Sequence, residues 1–205
     1  MIWYEDEVKR VEKERSKLNY EPRTLFYGSS SIRLWETLYD DFKEYQPVNL
    51  GFGGSTLAAC DWFFDRILSP YKPERILFYA GDNDLGDGRS PEEVFIFFQQ
   101  LTVHLEKRFP GIPFSFLSIK PSPARWSIID QIKYANSLIK DAIDQAGPPY
   151  QYVDLFDSML DPGGRPIPDL FETDKLHLSK KGYELWRGIL QKHLVLNIQN
   201  SVTPI

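Results

Sequence analysis

Cysteine is almost missing: Cys60 is the only one in 205 residues, which rules out an internal disulfide and a Cys-rich zinc site. Long apolar runs are missing too. None approaches the ~18 residues of a membrane-spanning helix, so no span is expected. Basic clusters are absent, and 24 Lys and Arg stand against 29 Asp and Glu for a net charge of −5. A nucleic-acid partner is therefore not expected. The first ten residues, MIWYEDEVKR, turn acidic at once and contain no positive segment leading into an apolar one. They do not read as a signal peptide, and a cytoplasmic location is the expectation. Histidine is scarce, with three in all, so imidazole chemistry must come from His104, His177 or His193.

What is present is ordinary for a globular protein, with 42% hydrophobic residues, but rich in rings at 15% aromatic. The length suits a single domain over residues 1–205. Five short apolar runs read as buried parallel strands: Thr24–Tyr27, Pro47–Leu50, Arg75–Ala80, Phe114–Ile119 and Tyr150–Val153. Helical patterns lie between them. The clearest starts at SPEEVFIFF, where Ser90 and Glu93 form a capping box and Pro91 suits the first turn. Val94, Phe97, Phe98, Leu101 and Leu105 then recur at helical spacing, and residues 127–146 and 179–195 give two more helices. From Trp3 to Leu18 the spacing predicts an amphipathic helix with Tyr4, Val8, Val11 and Leu18 on one side. Its charged side offers the i,i+4 pairs Glu5–Lys9 and Asp6–Arg10. That helix, within residues 1–20, should pack on this domain or on a partner subunit, which leaves a homodimer open.

Alternation of strands and helices implies an α/β sandwich on a parallel sheet, where ligands bind beyond the carboxyl ends of the strands. The segments at those ends are GSSS (28–31), NLGFGGS (49–55), GDND (81–84), KPSPARW (120–126) and, past a turn-rich loop, DKLH (174–177). Taken singly, each has a plain structural reading. An Asp and a His three apart can meet on one helical turn, fixing the imidazole tautomer, yet such pairs also occur as ordinary surface pairs. Gly53 and Gly54 can make a tight turn or expose an N–H to an oxyanion; Asn83 can be a turn residue or a second donor. A calcium loop starting at Asp82 fails, because its sixth position is Asp87 rather than glycine. The G-x-S-x-G elbow fails as well, since Ile32 stands two after Ser30. His104, His193 and Cys60 fall inside helical patterns and read as structural.

Jointly the segments, Ser, Gly, Asn and Asp-x-x-His in that order, resemble the SGNH hydrolase superfamily of GDSL-type esterases, lipases and acylhydrolases. The likeness runs from about Thr24 to Leu194. It implies a flavodoxin-like, three-layer α/β/α sandwich with a five-stranded parallel sheet. It also implies a catalytic triad of Ser30, Asp174 and His177, and an oxyanion hole of Ser30, Gly54 and Asn83. Ser31 is the second choice for nucleophile. The family's first block usually carries Asp where this chain has Ser29. The expected activity is hydrolysis of a small soluble ester, such as an acetylated sugar or a short-chain acyl ester, without metal or cofactor. Acyl transfer, lysophospholipase or thioesterase activity, and a non-catalytic scaffold are the alternatives. Arg125 and Trp126 are the candidate substrate contacts beyond the fourth strand.

Overall fold

The computed structural model describes the backbone of residues 1–202 and the side chains of residues 1–195. Its centre is a sheet of five parallel strands in the order β2-β1-β3-β4-β5. These are β1 (Thr24–Gly28), β2 (Pro47–Gly51), β3 (Arg75–Tyr79), β4 (Phe114–Leu117) and β5 (Tyr150–Val153). The chain also forms helices α1 (Glu5–Glu12), α2 (Ser30–Arg33), α3 (Leu38–Asp41), α4 (Leu57–Trp62) and α5 (Phe64–Leu68). Further along come α6 (Asp82–Gly86), α7 (Pro91–Arg108), α8 (Ile129–Ala146) and α9 (Lys180–Val202).

The strands read as continuous apolar runs because both faces are covered. Leu25, Tyr27, Val48, Leu50, Ile76, Phe78, Phe114 and Phe116 enter one core, packed by α1, α4, α5, α7 and α8. Their neighbours Phe26, Leu77, Tyr79, Leu117 and Val153 enter the other, packed by α2, α3 and α9. This is the two-residue period of a strand divided between two layers of helices. Trp35 and Trp186 fill the second core, with ring centroids 6.2 Å apart.

Local signals survive in the structure. Ser90 accepts from the Glu93 N–H, and the Glu93 carboxylate accepts from the Ser90 N–H, closing the capping box of α7. The first helix differs from its expected extent. A 3₁₀ turn (Ile2–Tyr4) leads into α1, which ends at Glu12, and another 3₁₀ turn covers Arg15–Lys17. The expected i,i+4 pairs give way to others: Glu5 takes the distant Arg66 at 2.9 Å, while Arg10 lies 3.4 Å from its near neighbours Glu7 and Glu14. Tyr4, Val8 and Val11 are buried in the first core, so this segment packs on the sheet's own helices.

The carboxyl end of β1 fixes the entry to α2. Gly28 has φ +136°, and a Cβ there would lie 1.9 Å from the Tyr79 carbonyl oxygen. Only glycine allows β1 and β3 to meet this closely. Gly111 also has positive φ, +70°, but open space around it. Urea unfolding should therefore show Gly28→Ala losing more than about 3 kcal/mol, strain and clash together. Gly111→Ala should lose only about 1 kcal/mol for its left-handed backbone. Equal losses would contradict the close-approach account.

Candidate active site

Ser29, in extended conformation, caps α2, and Ser30 is the helix's first residue. The three serines divide by burial. Ser31 is 1% exposed and its Oγ is buried without a partner, whereas Ser30 is partly open to solvent. The Ser29 N–H donates to the Tyr79 carbonyl at 2.9 Å, and Tyr183 Oη donates to the Ser31 carbonyl at 3.1 Å. Both ends of the GSSS turn are thereby tied.

Beyond β2 the chain runs through Phe52, Gly53 and Gly54 before α4. The Phe52 N–H and the Ser55 hydroxyl both donate to the Gly28 carbonyl, at 2.9 and 3.1 Å. Gly54 has φ +68°, and among the described residues no acceptor takes its N–H or that of Ser30. Asn83, in α6, donates through Nδ2 to the Ser55 carbonyl at 3.0 Å. The segments carrying Ser30, Gly54 and Asn83 are thus joined by hydrogen bonds to one another.

Buried charge holds α6 in place. Asp84 accepts from the Leu57 N–H and from Arg89, both at 2.8 Å; burial still pushes its carboxyl above the usual range. Asp82 pairs with Lys120, three residues beyond β4, and with Arg125 Nε at 2.9 Å. Lys120 is 1% exposed; burial works to lower its pKa, but the Asp82 carboxylate outweighs it and keeps the ammonium charged. Arg125 Nη2 reaches the Asn83 side-chain carbonyl at 3.4 Å. A Cβ at Gly86 would fall 1.1 Å from Arg125 Nη1, so the guanidinium lies against bare backbone.

Next to Arg125, the Ala124 N–H donates to the Lys175 carbonyl at 3.0 Å, tying the segment after β4 to the DKLH turn. Trp126 lies half-buried, with the Arg165 guanidinium 4.6 Å from its ring centroid. Within DKLH, His177 Nδ1 stands 2.6 Å from Asp174 Oδ2, while Asp174 Oδ1 accepts from the Leu176 and His177 N–H groups at 2.9 and 3.0 Å. Lys175 holds φ +60°, a conformation that non-glycine residues seldom take and that clusters at functional sites. Among the described residues no hydrogen bond joins Ser30 Oγ to His177, whose ring is held by Asp174. His177 opens onto a cleft of about 540 Å³, with Leu34, Thr37, Glu36, Glu172 and Tyr183 on its walls.

The other imidazoles lie elsewhere. His104 pairs with Asp61 at 2.9 Å on the outer side of α7, and His193 meets Ser115 at 2.8 Å, half-buried against β4. Cys60 is packed in the first core, and burial raises its thiol far above the usual range. Sequence reasoning passed over Lys120, Ser55 and Tyr183. Only Lys120 left a signal, as a cation directly following an apolar run.

The Leu176 N–H, then the His177 side chain, hold Asp174 at about 2, down from 3.8. A folded value below the unfolded one means that its stabilising contribution is complete above 3.8 and is lost as pH falls through about 2. Carboxyl NMR titration should return an Asp174 pKa near 2, and a value at the ordinary 3.8 would contradict the hydrogen-bonded turn.

The comparisons with known proteins bear on the family and the fold. The GDSL-like Lipase/Acylhydrolase family matches residues 25–185. Among solved structures, one from Streptococcus pneumonia superposes with a TM-score of 0.81 at 22% identity, covering 94% of this chain and 95% of its own. A GDSL-like lipase from Bacteroides thetaiotaomicron gives 0.76 at 19% identity, covering 93% of this chain and 98% of its own. A family 3 carbohydrate esterase from Clostridium thermocellum gives 0.70 at 17% identity, covering 90% and 100%. No curated protein matches the sequence. The chain belongs to the GDSL-like lipase/acylhydrolase family and is a serine hydrolase of ester bonds.

Proposed function

We propose that the protein cleaves a small, short-chain acyl ester, of the kind carried by acetylated sugars, with Ser30 as nucleophile, His177 as base and Asp174 as its partner. The observation that carries the reading is the Asp174–His177 contact of 2.6 Å at the mouth of the cleft. With Nδ1–H donating to the carboxylate, Nε2 is left with its lone pair free for a proton. The exposure of Ser30, against the burial of Ser31, supports the first as the attacking group.

In this mechanism His177 Nε2 removes the Ser30 proton as Oγ attacks the acyl carbon. The carbonyl oxygen becomes an oxyanion facing the N–H groups of Ser30 and Gly54 and the Asn83 amide. As the tetrahedral intermediate collapses, the alkoxide leaves with the proton from His177, and the acyl group stays on Ser30. Water then repeats the sequence, giving the carboxylic acid and free serine. Asp174, ionised throughout, stabilises the imidazolium in both halves. Arg125 acts on substrate through Asn83, whose carbonyl it engages, and Trp126 offers the sugar or acyl group a flat contact. No step calls for a cofactor.

The cleft beside His177 is lined by Glu36, Glu172, Glu184, Lys180 and Arg187 together with Leu34 and Leu178. Ser30, Gly54 and Asn83 are not among its lining residues, so it does not size the acyl site. Among the described residues no helix is long and apolar enough to cross a membrane. The carbohydrate esterase among the structural neighbours points toward sugar esters.

Nitrophenyl esters of graded length should be cleaved best at acetyl, with rates falling as the chain grows; a maximum at long chains would refute the short-chain reading. With the acetyl ester, Ser30→Ala should lower kcat by ~10³-fold or more, as removal of a triad member does. Asn83→Ala should lower it by about 10²-fold, the effect of one oxyanion donor. Full activity in Ser30→Ala would remove Ser30 from the chemistry.

A further inference from the structure

The glycine-rich loop that carries Gly54 has few means of ordering itself. Gly51, Gly53 and Gly54 supply no side chains, and an oxyanion donor is effective only when it is already in place. Beyond the Phe52 and Ser55 contacts to the Gly28 carbonyl, further order comes from a segment some fifty residues earlier in the chain. Tyr4 Oη donates to the Gly54 carbonyl at 3.0 Å. The Gly53 N–H donates to Glu7 Oε2 at 3.0 Å, and Arg10 Nη2 donates to the Gly51 carbonyl at 2.6 Å. Gly54 is therefore anchored on both sides, while its own N–H meets no acceptor among the described residues.

The same Glu7 oxygen also takes Arg33 Nε at 2.7 Å. Arg33 is the last residue of α2, the one-turn helix that Ser30 begins. One carboxylate thus spans the loop of the proposed oxyanion donor and the helix of the proposed nucleophile. Burial opposes its charge, but the Gly53 N–H together with Arg10 and Arg33 lowers its pKa below the usual range. The Tyr4 ring fixes the tether's other end, edge-on to Phe52 at 5.7 Å and to Phe63 at 6.4 Å.

We infer that Tyr4 and Glu7 are positioning residues for ester hydrolysis: the N-terminal segment sets the Gly54 donor against Ser30. This inference rests on the proposed roles of Ser30 and Gly54. The tether never touches substrate. Loosening it should lower the rate of the chemical step and leave substrate binding as it was.

The test compares Glu7→Ala, Glu7→Gln, Tyr4→Phe and Ser30→Ala with the native chain. It measures kcat and KM on nitrophenyl acetate, the rate of labelling by a fluorophosphonate, and the melting temperature. Glu7→Ala and Tyr4→Phe should each lose about tenfold in kcat and in labelling rate, less than deletion of a donor, with KM within about twofold. Glu7→Gln keeps an acceptor for the Gly53 N–H and should recover part of the Glu7→Ala loss. Tyr4→Phe keeps the ring in the core, so its melting temperature should barely move. Unchanged kcat in both Glu7→Ala and Tyr4→Phe, or losses that merely follow the melting temperature, would overturn the inference. Ser30→Ala separates the two levels: activity retained there refutes the Ser30 mechanism itself. An inactive Ser30→Ala beside a fully active Glu7→Ala and Tyr4→Phe refutes the tether alone.

Discussion

The peptide between Gly28 and Ser29 is the point where three segments of the site are joined. Its carbonyl accepts from the Phe52 N–H and the Ser55 hydroxyl, and its N–H donates to the Tyr79 carbonyl. One planar unit, rigid about its C–N bond, thereby locks the end of β1 to the loop after β2 and to β3. Ser30 follows directly. Ser55 passes the constraint on, since its carbonyl accepts from Asn83. Any side chain at position 28 would drive β3 away and release these contacts together.

The rest of the site extends from that peptide as a series of polar contacts. Asn83 meets Arg125, Ala124 meets Lys175, and the turn at Lys175 sets Asp174 against His177. Asp82 lies under this path, buried between Lys120 and Arg125. Breaking such a pair by removing one partner leaves an uncompensated charge, which is what makes it effective in holding α6. Lys120 and Arg125 against Asp82 leave one net positive charge close to Asn83, which in the proposed mechanism would favour the oxyanion.

Local chemistry was legible in the sequence. The strands lie within a residue or two of their expected bounds; β1 to β4 are apolar runs buried on both faces, whereas the edge strand β5 buries only Val153 fully. Ser90 and Glu93 announced the start of α7; Asp174 and His177 also meet, but across a turn with Lys175 at positive φ rather than on the helical turn their spacing suggested. What escaped depends on residues far apart. Glu5 and Arg10 looked paired within their own helix, yet Glu5 reaches Arg66 and Arg10 reaches the Gly51 carbonyl. Glu7 resembled any solvated acid on an amphipathic helix; its partner, the Gly53 N–H, is 46 residues away. No periodicity encodes a contact of that kind.

The central claim is that this framework exposes and activates Ser30 and no other serine. Reaction with a fluorophosphonate, followed by digestion and mass mapping, tests it most directly, because the reagent modifies an activated hydroxyl whatever the natural ester is. The account predicts one adduct per chain, on Ser30, formed far more slowly when His177 is replaced by alanine. An adduct on Ser31 or on another residue, or labelling of Ser30 indifferent to His177, would contradict it.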